Sequence, residues 1–156
     1  MATDGSVTIV FTDIENSTAL METLGEDRWL ELLEWHDHAV RQQTTLFGGS
    51  VVKGQGDGFM LAFPAAGSAT ASAMAIQRAL STGWESIPVP VRIGMHSGNA
   101  KAEAGDSFGR TAAGGEILAS QVVQQDLSGA LPLGGERSLD LKGLVGHHAV
   151  FPVLWR

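Results

Sequence analysis

The chain has 156 residues, 44% of them hydrophobic, and no cysteine. That composition suits one domain spanning 1–156 with a single core, and it excludes disulfides, a cysteine-based zinc site and a thiol nucleophile. A formal net charge of −7 without a Lys/Arg stripe disfavours nucleic acid as a partner, and with no apolar run near the roughly 18 residues of a membrane span, no integral membrane segment and a cytoplasmic location are expected.

The first element is a strand in "VTIVFTDIENST", a β-branched and aromatic run that stops at the carboxylate of Asp13. Asn16 or Ser17 can cap the helix that follows, and "ALMETLG" leads into "EDRWLELLEWHDHAVRQQTTLF", where Leu30, Leu33, Ala39, Val40 and Leu46 recur at helical spacing until Gly48 and Gly49. "SVVKGQGDGFMLAF" reads as a hairpin with Asp57 at its tip, closed by Pro64. The Ala-rich stretch from Ser68 to Leu80 predicts a helix that approaches a sheet closely, with Met74, Ile76 and Leu80 as its larger contacts. "VPVRIGMHSGNA" predicts a strand, and two C-terminal strands are expected around Leu139–Leu141 and Ala149–Leu154. The order strand, helix, hairpin, helix, strand and β-rich tail fits an α+β layer with helices on one face of a mainly antiparallel sheet.

If the strands bearing Asp13 and Asp57 are neighbours, two carboxylates meet at one corner, an arrangement that is costly without a cation between them. Oxygen ligands without His or Cys suit magnesium or manganese, shared with substrate phosphates. The same residues also fit plainer roles, Asp13 as a helix cap and Asp57 as a turn residue. The small polar loop "IENST" adds backbone N–H groups free to face an anion. "KGQGDG" lacks the Gly-Lys-Ser/Thr ending of a P-loop and lies in a hairpin, so hydrolysis of that type is disfavoured.

In this order, "FTDIENST", "VVKGQGDGFMLAF", "VRIGMHSGNA", "GDSFGRT" and "LKGLVGHHAVFPV" resemble the catalytic domain of class III nucleotidyl cyclases, in particular bacterial adenylyl cyclases of the mycobacterial kind. The resemblance implies a ferredoxin-like βαββαβ sheet and a head-to-tail homodimer with active sites shared between subunits. It implies that Asp13 and Asp57, with the Ile14 carbonyl, hold two magnesium or manganese ions, and that the backbone of Glu15, Asn16, Ser17 and Thr18 faces the phosphates. One ion would activate the ribose 3′-hydroxyl and the other would neutralise charge on the departing pyrophosphate. Lys142 matches the lysine that binds the triphosphate from the partner subunit. Its plainer reading is a solvated strand-end lysine.

Lys53 and Asp106 match the positions that read the purine, and an ammonium with a carboxylate complements adenine's N1 acceptor and 6-amino donor. Guanine reverses both groups, which would leave two buried mismatches of about 1–3 kcal/mol each. The expected activity is therefore conversion of ATP to cyclic AMP, the alternative being an inert cyclase-like domain that binds nucleotide or a partner. His36 with His38, and His147 with His148, do not share faces and make no metal clip, while Trp29, Trp35, Trp84 and Trp155 read as core or interface anchors.

The sequence departs from the family after "GDSFGRT". The resemblance implies a helix there with an Asn that orients the ribose and an Arg that stabilises the transition state, but "GRTA" runs directly into "AGGEIL". Arg110, Arg137 and Arg156 cannot be assigned the family role, and no asparagine follows Asn99. A crossover between parallel strands takes about a dozen residues or more, which leads to the expectation that a mobile helix-bearing segment belongs at Ala112–Ala113 and is missing from this sequence. The alternative is a true deletion.

Overall fold

The computed structural model describes residues 7–98, 109–140 and 147–156. Strand β1 (Val7–Ile14) leads through helix α1 (Ser17–Leu24) and helix α2 (Glu26–Leu46) to the hairpin β2 (Ser50–Gln55) and β3 (Gly58–Phe63). Helix α3 (Ala66–Leu80) and strand β4 (Val91–Gly98) follow, then β5 (Ile117–Ser120), α4 (Gln121–Leu127), β6 (Arg137–Asp140) and β7 (His147–Pro152).

The seven strands form one sheet in the order β2-β3-β1-β4-β5-β7-β6, antiparallel except for the parallel pair β4–β5. Its β2-β3-β1-β4 half, with the helices that connect those strands, is the expected ferredoxin-like βαββαβ unit.

Period-two alternation sends Val10, Ile14, Leu61, Phe63, Ile93 and Met95 to the helix side, where they meet Leu32, Val40, Ala69, Ala73, Ile76 and Leu80. Alanines at 66, 69 and 73 let α3 lie close to the sheet, and the buried Gln77 amide ties it to β4 by donating to the Val91 carbonyl at 2.8 Å.

Helix α2 buries a face that differs from the expected one. Its inward stripe is Leu32, His36, Val40 and Thr44, whereas Leu30 and Leu46 are exposed. Two polar side chains sit in that stripe, Thr44 hydrogen-bonded and His36 with its Nε2 buried without a hydrogen-bond partner among the described residues. Thr44 donates to the Val40 carbonyl one turn back at 2.7 Å, and the His36 ring packs 5.8 Å from the Phe59 ring. An apolar count along the helix misses such positions.

"GEILASQVVQQDL" divides into strand β5 and helix α4, the latter capped by Ser120, whose Oγ accepts from the Val123 N–H at 3.4 Å. Ahead of β5, residues 109–111 make one helical turn, and the chain then folds on itself, with Gly115 N–H donating to the Val91 carbonyl at 2.8 Å and Glu116 N–H to the Ala113 carbonyl at 2.9 Å. At Ala112–Ala113, where a missing helix-bearing segment is expected, the residues present turn directly into β5. No helix among the described residues is long and apolar enough to cross a membrane.

Candidate active site

Asp13 and Asp57 arrive at one corner of the sheet. In the β1–β3 register Asp13 lies opposite Gly58, and the next residue, Ile14, donates its N–H to the Asp57 carbonyl at 3.1 Å. The tight turn that presents Asp57 depends on Gly56, whose φ of 58° is left-handed backbone that glycine adopts without strain.

Chain direction then turns sharply at Asn16, itself left-handed at φ 58°, and α1 begins with no side-chain cap. Its first N–H groups therefore lack intrahelical and capping partners. Ser17 and Thr18 on one side, and Gly56 and Asp57 on the other, border a cavity of about 210 Å³ whose apolar wall includes Met21 and Trp29.

Glu15 has a different task. Its N–H donates to the Pro90 carbonyl at 2.9 Å and its Oε2 accepts from the Gly114 N–H at 2.9 Å. The Glu15 amide is thus committed inside the protein, and the residue braces the loop against the 112–116 junction. Asn16, Ser17 and Thr18 remain as the part of "ENST" placed at the helix start.

Arg92 received no role in the sequence reading, yet it pairs closely with Asp13. Antiparallel pairing sets Asp13 directly opposite Arg92, and the guanidinium contacts both carboxylate oxygens, Nη2 at 2.9 Å from Oδ1 and 2.6 Å from Oδ2, with Nε 3.2 Å from Oδ1. Alternation along β4 puts Arg92 and His96 on one face, but only the β1–β4 register reveals the pairing.

Lys53 lies on that same face, away from the helices, and is exposed. It pairs with Met60, which pairs with Phe11, so Lys53 sits two strands across and about two residues along from Asp13. At the usual strand spacing and rise that is a separation of about 12 Å. A single chain therefore does not bring Lys53 to the carboxylate corner. Asp106 and Lys142 lie outside the described residues.

The donors at the corner are all oxygens, two carboxylates and the Ile14 main chain, a set that fits a hard divalent cation. Among the described residues no group of three or more metal-binding side chains gathers, so an ion here would keep positions open for water or phosphate oxygens.

Farther along the face opposite the helices, His96 Nδ1 lies 2.8 Å from Ser120 Oγ, and its pKa is lowered first by burial and then by the charge of His148. His36 is fully buried and His38 exposed, in keeping with structural and surface roles.

The family model described as "Adenylate and Guanylate cyclase catalytic domain" matches residues 1–110. An adenylate cyclase of Mycosarcoma maydis is 32% identical over 171 residues, covering 86% of this chain and 7% of that protein. An uncharacterized protein of Mycobacterium tuberculosis is 31% identical over 140 residues, covering 82% of this chain and 47% of its own length. This chain thus spans less than half the length of either relative. Both alignments run longer than the part of this chain they cover, so both relatives carry residues that it lacks. Among solved structures, the guanylyl cyclase Cya2 superposes with a TM-score of 0.88 at 21% identity, covering 95% of this chain and 91% of that one, a likeness of fold. A family match over residues 1–110, on a sheet that sets Asp13 beside Asp57, makes this chain a member of the adenylate and guanylate cyclase catalytic domain family.

Proposed function

We propose that the chain is the catalytic domain of an adenylyl cyclase, converting ATP to 3′,5′-cyclic AMP and pyrophosphate in sites shared by a homodimer. The observation that carries the reading is the meeting of Asp13, Asp57 and the start of α1 at one corner. In the reaction the ribose 3′-oxygen bonds to the α-phosphorus, the bond from that phosphorus to the bridging oxygen breaks, and pyrophosphate leaves.

Asp13, Asp57 and the Ile14 carbonyl would hold two magnesium or manganese ions. When bound, these ions supply a lowered pKa at the 3′-hydroxyl and neutralise charge on the leaving group. The residues themselves bind and orient. The N–H groups at Ser17 and Thr18 face a phosphate, Lys142 pairs with the triphosphate, and Lys53 with Asp106 reads the adenine edge. The separation of Lys53 from Asp13 supports a site completed by a second copy, as does the family resemblance. A cytoplasmic location belongs to the same reading.

The second reading is an inert, nucleotide-binding cyclase domain, favoured by residues 112–116 turning directly into β5 with neither the Asn nor the Arg that the family resemblance implies there. One assay separates the readings: purified protein with ATP or GTP and either metal, scored for cyclic nucleotide. Cyclic AMP is expected. Cyclic GMP as the product instead would overturn the adenine assignment, and nucleotide binding without any product would establish the inert domain.

A further inference from the structure

We propose that Arg92 is an internal competitor for the metal site, occupying the Asp13 carboxylate until a divalent cation takes it, and thereby making metal uptake depend on nucleotide. The inference rests on the metal-dependent reading of the Asp13–Asp57 corner.

The geometry is that of a fork closed on a carboxylate. Nη2 reaches both oxygens at 2.9 and 2.6 Å and Nε adds a third contact at 3.2 Å, so both oxygens accept from the guanidinium. Cross-strand pairing in the β1–β4 register holds the two residues opposite each other, which makes the contact a product of the sheet and not of chance surface encounter. The side chains are 26% and 33% exposed, enough burial to strengthen the pair and enough opening for an ion to approach.

Charge at the corner is unbalanced. Arg92 compensates Asp13, while Asp57 has no ion-pair partner among the described residues. A divalent cation between the carboxylates would compensate both, but it gains the Asp13 lone pairs only as the fork loosens. A displaced guanidinium remains at the corner, positively charged, where a polyphosphate offers it a planar two-oxygen partner. Metal alone must therefore evict Arg92 at a cost, whereas metal arriving with nucleotide gives Arg92 somewhere to go. Arg92 is on this account a positioning residue that links the two uptakes.

The test is Mn2+ binding to the full chain without nucleotide, measured by calorimetry and by loss of the free-ion EPR signal. Arg92→Met is expected to bind Mn2+ on the order of tenfold tighter than the parent, the worth of one charge-assisted contact. It should also lose most of the gain in Mn2+ affinity that a non-cyclisable ATP analogue confers on the parent. Arg92→Lys keeps the charge without the fork and should fall between the two, and it carries the comparison if Arg92→Met does not fold by circular dichroism. A parent that binds Mn2+ while the folded variants bind it no tighter overturns the proposal and leaves the metal reading standing. Absence of Mn2+ binding at millimolar concentration in parent and variants alike overturns both.

Discussion

Gly114→Ala places a methyl group where a fixed proline ring and the Glu15 carboxylate already stand. A Cβ built on Gly114 lies 2.6 Å from Pro90 Cβ and 2.9 Å from Glu15 Oε1, and the Pro90 ring cannot rotate away because the chain itself carries it. Residue 114 must back off, which stretches the 2.9 Å hydrogen bond from its N–H to Glu15 Oε2. Overpacking of this kind costs about 1–3 kcal/mol, and a weakened charge-assisted bond in a part-buried site adds about 1 kcal/mol. Against this, alanine restricts the unfolded chain and returns about 0.4–1 kcal/mol. The net loss is about 1–3.5 kcal/mol, or roughly 3–11 °C in Tm for a domain of this size. Urea unfolding followed by tryptophan fluorescence measures it directly. Glu15→Ala removes the acceptor without the methyl and should cost about 1 kcal/mol. The double variant should cost less than the two singles together, since the Oε1 contact is gone and only Pro90 still obstructs. A Gly114→Ala protein that melts within about one degree of the parent, or strict additivity in the cycle, would refute the brace between Glu15 and the junction. Activity adds a second reading, because a displaced Glu15 tilts the Asn16–Thr18 start of α1: KM for ATP should rise more than kcat falls.

Asp13→Ala and Asp57→Ala should each abolish cyclic AMP formation. Asp13→Ala alone should also lose about 1 kcal/mol of stability, because Arg92 is left half-buried without its carboxylate; full activity in either folded variant excludes that residue from the metal site. Lys53→Glu combined with Asp106→Gly should collapse ATP turnover and admit GTP, and a retained preference for ATP would place base reading elsewhere. Mixing inactive Asp13→Ala with inactive Lys53→Ala should restore activity through heterodimers carrying one intact site, whereas no recovery in a proven heterodimer means that each subunit is self-sufficient. His96, whose pKa burial lowers, stays neutral in the folded state when the unfolded chain takes up a proton, so stability should fall as pH drops below about 6.5 toward the lowered value. His96→Asn should flatten that part of a stability-against-pH curve, and an unchanged slope removes His96 from the cause.

Local signals in the sequence located nearly every element of the fold, because alternation, the glycines after α2 and the Ala-rich run of α3 act within one element at a time. Asp57 was readable as a hairpin tip for the same reason. What escaped were relations between elements. The Arg92–Asp13 pair needs the β1–β4 register, which no residue of either strand announces. Glu15 read as part of an anion loop because its contacts to Pro90 and Gly114 join segments far apart in the chain. The stripe of α2 was misjudged by counting hydrophobic side chains, when a histidine and a threonine fill two of its four buried positions. "GEILASQVVQQDL" hid a four-residue strand, buried throughout and parallel to β4, with no alternation to betray it.

Helix α1 contributes no buried side chain, though it begins at the corner where phosphate would bind. Amide protons in such a helix exchange through small local openings, while those of α3, with nine buried residues, need a much larger unfolding event. A nucleotide that engages the first turn of α1 must spend part of its interaction energy on quieting that segment, which weakens its affinity and quickens its release. The product would then leave from a segment that opens more readily than α3, while the sheet beneath keeps its carboxylates in register for the next turnover.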